Sequence, residues 1–218
     1  MFYKLCFIFL LFIIYSIIGW LMETSFNTIV TKKFTNRGFF MGPYCPIYGV
    51  GVILILFLLR RYQNEPFVLF VMAIIICSFL EYITSWFMEK LFKNRWWDYS
   101  DRKFNINGRI CLEIAIPFGL IGMFVFYGLN PCIINVVSLI PKSALIVISI
   151  ILFVIFLIDM IISLNIIVKI ENISNNRKMD STEKITKKVR EAITNKNILQ
   201  RRLINAFPRM KMKKKRIE

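Results

Sequence analysis

Five apolar runs follow one another through the first 168 residues, separated by short polar gaps. They are Leu5–Met22, Ile47–Leu59, Phe67–Leu91, Ile110–Leu129 and Ser143–Val168. A helix that crosses a bilayer needs about 20 consecutive apolar residues. Four of the runs approach or exceed that length. The run at Ile47–Leu59 is short, and it reaches a span only if Pro43 to Pro46 also lie at membrane depth. With 57% hydrophobic and 19% charged residues, there is too little polar surface to cover such runs in water. The sequence therefore predicts an all-α polytopic membrane protein. It has five transmembrane helices over residues 1–168, followed by a basic cytoplasmic tail over 169–218.

The first run sits where a signal peptide would. It is long, only Lys4 precedes it among charged residues, and no small-residue cleavage pattern follows, so it reads as a retained helix. Between the first two runs, Asn36-Arg37-Gly38 has turn composition, and Gly42, Pro43, Pro46 and Gly49 break any continuous helix. That segment lies at the interface or re-enters the membrane, the latter only if protein or water satisfies its backbone.

Charge is unevenly placed. The formal net charge is +16, and from Lys169 onward sixteen Lys and Arg stand against five Asp and Glu. Positive residues collect on the cytoplasmic side of membrane proteins. With five spans, an inside tail also places Lys32, Lys33, Arg37, Lys93, Arg95, Arg102 and Lys103 inside. Lys4, Arg60, Arg61 and Lys142 are left outside. The N-terminus is expected outside and the C-terminus in the cytoplasm, with Arg60-Arg61 dissenting. In the tail, Asp180-Ser181-Thr182-Glu183 fits a capping box, and apolar residues from Ile185 to Phe207 recur at helical spacing. This reads as an amphipathic helix on the anionic lipids of the inner leaflet, with partner binding as the alternative. No nucleic-acid partner is expected, because no recognition motif accompanies the basic residues.

The chain has no histidine, which removes His-based triads and histidine metal ligands. Its five cysteines are scattered through apolar surroundings and form no CxxC pair. No cofactor or metal is expected. The informative residues are the ionisable ones inside or beside the apolar runs, since carboxylates there are costly and need a partner or a task. Glu23 closes the first run. Glu81, Ser85 and Glu89 share one face of the third helix. Trp96 to Gly119 joins a polar, aromatic segment directly to an apolar one, with Asp98, Arg109, Glu113 and Pro117 inside it. The expectation is one polar cavity at the cytoplasmic end, surrounded by Glu23, Arg37, Glu81, Glu89, Asp98, Arg109 and Glu113. In it Arg109 is shared with Glu113, and Arg37 and Arg109 balance charge or bind an anion. Asp159, with Asn165 nearby, marks a second intramembrane polar site.

Several blocks in order carry a resemblance: Gly19-Trp20-x-x-Glu23, Asn36-Arg37-Gly38, Gly42-Pro43-x-x-Pro46-Ile47-Tyr48-Gly49, Glu81-Tyr82, Trp96-Trp97-Asp98-Tyr99 and Asn107-Gly108-Arg109. Together they resemble the CmpB-like family of type IV ABC-transporter permeases, over roughly Tyr15 to Phe118. The resemblance implies a permease subunit of the bacterial inner membrane. The chain contains no G-x-x-x-x-G-K-[ST] loop, so an ATP-driven role requires the ATPase as a separate subunit. Two other classes stay open on the residues alone. One is a non-enzymatic structural or regulatory membrane protein. The other is an enzyme modifying lipid head groups, its chemistry drawn from the carboxylates at the interface.

Overall fold

The structure, a computed structural model, describes residues 1–92 and 94–175, and from the C-terminal segment Arg202, Ala206, Lys211 and Met212. Helix α1 covers Phe2–Thr31, α2 Pro46–Leu58, α3 Pro66–Phe92, α4 Leu112–Phe124, α5 Asn130–Ser138 and α6 Lys142–Asn175. Two-residue strands occur at Asn94–Arg95 (β1), Asn105–Ile106 (β2), Ile110–Cys111 (β3) and Lys211–Met212 (β4). The fold is thus α-helical. Most of the large exposed side chains along the helices are apolar, as suits contact with lipid rather than water.

Four helical stretches are long and apolar enough to cross a membrane: Phe2–Thr31, Pro66–Phe92, Leu112–Ser138 and Lys142–Val168. The expectation of five full spans needs correction at α2. Its 13 residues rise only about 20 Å. The cause lies in the preceding segment. After α1 ends at Thr31, the chain runs back along that helix as irregular backbone. The Cys45 N–H donates to the Ser16 carbonyl at 2.9 Å, so α2 begins beside the middle of α1. Pro46 opens it, where the missing N–H costs nothing.

The α1–α2 contact needs glycine on both sides. A Cβ on Gly19 would overlap the Tyr48 side chain, and one on Gly49 would overlap Ser16 Oγ and the Phe12 carbonyl. Cys6, Leu10, Leu11, Tyr15, Val125, Val137 and Leu145 form one apolar core, and Ile55, Leu59, Leu69 and Ala73 form another between α2 and α3.

Three helices run further than the apolar pattern implies, α6 by continuing past Val168 to Asn175. Helix α1 continues through Glu23 to Thr31, which places Glu23 within the helix rather than at its end. The fourth stretch passes Asn130 and Pro131, read from sequence as a connection, and ends at Ser138. A wide π-type turn at Val125–Leu129 precedes them, with the Asn130 N–H reaching the Val125 carbonyl. Proline lacks an N–H and crowds the carbonyl four residues back, and a widened turn relieves both. The amphipathic helix expected from Asp180 onward falls outside the described residues, apart from Arg202 and Ala206.

Candidate functional site

The segment between α3 and α4 folds back on α3 through a short hairpin. β2 and β3 pair antiparallel, Ile106 opposite Ile110. Asn107 (φ 53°) and Gly108 (φ 65°) both take the left-handed conformation, which these residue types tolerate best. Asn107-Gly108 thus makes the turn of this hairpin. It sets Arg109 against the polar face of α3.

On that face, Arg109 Nη2 meets Glu89 Oε2 at 2.8 Å, and Arg109 Nη1 lies 3.2 Å from Ser85 Oγ. The guanidinium also sits 5.7 Å from the centroid of the Tyr82 ring. Arg95 reaches the same Glu89 oxygen at 3.2 Å and Asp98 Oδ1 at 3.3 Å. Asp98 accepts in addition from the Ser100 N–H at 3.1 Å and the Ser100 hydroxyl at 2.6 Å. Two guanidinium groups and two carboxylates thus form a charge-balanced cluster that is almost wholly buried. The Glu89 side chain is 8% exposed and that of Arg109 10%. Arg95, one of the loop bases for which the sequence offers Asp98 and Asp101 as candidate partners, is the bridge of the cluster. Its three-residue spacing to Asp98 was the available signal.

Glu23 and Arg37 form a looser, more exposed pair. Arg37 Nε stands 3.8 Å from Glu23 Oε2, and the two side chains are 28% and 34% exposed. The Tyr48 hydroxyl donates to Glu23 at 2.5 Å. Glu81 is buried and accepts from the Tyr99 hydroxyl at 3.2 Å. Burial pushes the Tyr99 phenol well above its ordinary value. The Glu81 charge and hydrogen bond add to that, and the Glu23 charge raises it further. Tyr99 therefore stands in the field of both carboxylates and links the two halves of the polar region.

Glu113 does not join this region. It is half exposed and pairs with Arg102 at 2.8 Å. As the second residue of α4 it shares no helical turn with Arg109, which precedes β3, so the four-residue spacing does not bring them together.

Asp159 is buried in α6 and serves the irregular backbone of residues 41–44. It accepts from the Met41 N–H at 2.9 Å, the Gly42 N–H at 2.7 Å, the Ser163 hydroxyl at 2.9 Å and the Tyr44 hydroxyl. Asn165 is exposed and lies away from it. Among the described residues, no group of three or more His, Cys, Asp or Glu is placed to hold a metal ion.

This arrangement lies within the part of the chain that matches a known family. The family described as "Putative ABC-transporter type IV" matches residues 10–164. The chain belongs to this family. The match runs from α1 through α6 and includes every residue of the polar region. Neither a curated protein nor a solved structure matches the chain. Family membership makes it a membrane protein associated with transport, of the permease type.

Proposed function

We propose that this permease is a multi-pass subunit of the bacterial inner membrane, with its N-terminus outside and its C-terminus in the cytoplasm. It works with an ATPase carried on a separate chain. Residues 1–168 form the membrane unit and 169–218 the cytoplasmic segment, whose positive charge draws it toward anionic lipids of the inner leaflet. The Glu23–Arg37 pair, backed by Tyr48, Glu81 and Tyr99, is the point where the polar region meets the transport path. Glu89, Arg95, Asp98 and Arg109 hold the hairpin that supports it. A single contrast carries this reading. The Glu89–Arg109 pair is sealed, whereas the Glu23–Arg37 pair is loose and partly exposed. A sealed pair suits a framework, and an accessible guanidinium suits a group that meets an anion.

The test is affinity purification of the full chain from its native membrane, followed by ATP hydrolysis in the purified material. An ATPase should co-purify with wild type and with Arg37→Ala. Coupled activity should drop about tenfold or more in Arg37→Ala and stay near wild type in Arg60→Ala, at equal membrane abundance. Equal activity in all three removes Arg37 from the path. Absence of any ATPase favours a structural or regulatory role.

A further inference from the structure

We propose that residues 37–42 form a receptor for an arginine side chain, occupied by Arg202 from this chain's own C-terminal segment. Arg202 Nη2 donates to the Gly38 carbonyl at 3.1 Å and to the Phe40 carbonyl, and Nη1 lies 3.2 Å from Met41 Sδ. These carbonyls are available because the segment is neither helix nor strand. Its N–H groups at Met41 and Gly42 are already taken by Asp159. Asp159 thus takes the Met41 and Gly42 donors, and Arg202 takes the Gly38 and Phe40 acceptors. Burial pulls the Arg202 guanidinium below its ordinary value, and the Asp159 charge works against that pull.

Two further contacts bind the same segment of chain. Arg37 Nη1 donates to the Ala206 carbonyl at 2.7 Å. β4 pairs antiparallel with β1, Lys211 opposite Arg95 and Met212 opposite Asn94. The docking is therefore reciprocal: one arginine comes from the tail into the loop, and one from the loop into the tail. Planar guanidinium donors fit paired carbonyls in a way that an ammonium does not. The contacts end on Arg37 and Arg95, which are members of the polar region. A docked tail holds Arg37 by one nitrogen while its contact with Glu23 stays at 3.8 Å. Release of the tail frees Arg37 to close on Glu23 or on an anion. The tail thereby controls the accessible arginine of the site, and this holds whatever that site carries.

The experiment places a site-specific diazirine amino acid at Met41 of the full chain. The chain is reconstituted in vesicles of phosphatidylcholine alone or with phosphatidylglycerol, and the photo-adducts are mapped by mass spectrometry. Adducts should fall on the peptide containing Arg202 in both vesicle types. Their yield should drop about tenfold in Arg202→Ala, the loss expected for charged hydrogen bonds. Arg202→Lys keeps the charge and should restore only a minor part of the yield. Arg60→Ala, far from the receptor in sequence, should change nothing. Adducts on phosphatidylglycerol in place of the tail would show that lipid takes this segment, and would overturn the proposal. So would full yield in Arg202→Ala. Full yield in Arg202→Lys would reduce the receptor to simple charge attraction and overturn it as a guanidinium site.

Discussion

Glu89 receives two guanidinium groups on one oxygen, on the polar face that α3 also lines with Glu81 and Ser85. Removing one partner of such a buried cluster leaves an uncompensated charge, at a cost of about 3–5 kcal/mol. Arg109→Ala should therefore lower the detergent-solubilised melting temperature markedly. Arg102→Ala, which breaks only the half-exposed pair with Glu113, should cost under about 1 kcal/mol. Equal melting shifts would contradict the division between sealed and open pairs. It follows that Arg109 is a poor probe of function and Arg37 a better one. Tyr99 gives a pH test. Its phenol holds its proton above the ordinary range. The folded state thus binds that proton more tightly than the unfolded one. The resulting stability is fully present below about pH 10, the unfolded tyrosine value, and fades as pH rises toward the folded one. Spectrophotometric titration of wild type minus Tyr99→Phe should show one phenol ionising late. A difference centred at the ordinary tyrosine value would show that Tyr99 is neither buried nor held by Glu81.

The irregular segment between α1 and α2 is the element that sequence reading left most open, and the structure supplies its physical account. Backbone that is not hydrogen-bonded to itself persists beside apolar helices only when other groups satisfy it. Here Asp159 and Ser16 supply acceptors, while Asn36 accepts from the Gly38 N–H and donates to the Met41 carbonyl. Asp159→Asn turns an amide donor toward at least one N–H. It should cost about 2–4 kcal/mol by thermal melting, against under about 0.5 kcal/mol for the exposed Asn165→Ala. An Asp159→Asn protein as stable as wild type would mean that the segment finds its acceptors elsewhere. Apolar length revealed the long helices because burial in lipid requires it. The partners of the polar residues were much less legible. Glu113 and Arg109 are four apart in sequence but straddle the start of α4. Arg102, further away in sequence, reaches Glu113 because the hairpin folds back. Glu81 and Glu89 shared a face as helical spacing requires, yet nothing in that spacing indicated Tyr99 for one and two arginines for the other. The shortness of α2 was visible. Its cause, the return of the chain to Ser16, depends on contacts with α6 that no local pattern records.

At the scale of the whole molecule, the proposed topology rests on the course of the helices and the placement of charge. α1 and α3 end where the polar region gathers, α4 begins there, and α6 carries Asp159 into the same loop. Helix α2 is too short to be a full span alone, yet it still reverses the chain. It starts beside Ser16 of α1, and its far end meets α3 through the turn at Arg60–Tyr62. Four helical stretches are long enough to cross, and the proposed topology takes α2 with its irregular segment as the fifth crossing. The polar region, Lys32, Lys33 and Arg102 then share one side, while Lys4, Arg60, Arg61 and Lys142 share the other. The positive excess lies with the first group, and that excess orients membrane proteins toward the cytoplasm. A cysteine introduced at Asn197 should resist a membrane-impermeant maleimide in intact cells and react once the membrane is opened. A cysteine at Gln63, whose backbone carbonyl accepts from Tyr127 at the opposite end, should react in intact cells. The pair matters because each site alone is open to local shielding. If Asn197 labels in intact cells while Gln63 does not, the whole assignment is inverted. If both sites label, or both are protected until lysis, the crossings between Gln63 and Asn197 are even in number, and α3, the stretch Leu112–Ser138 and α6 do not all traverse the bilayer.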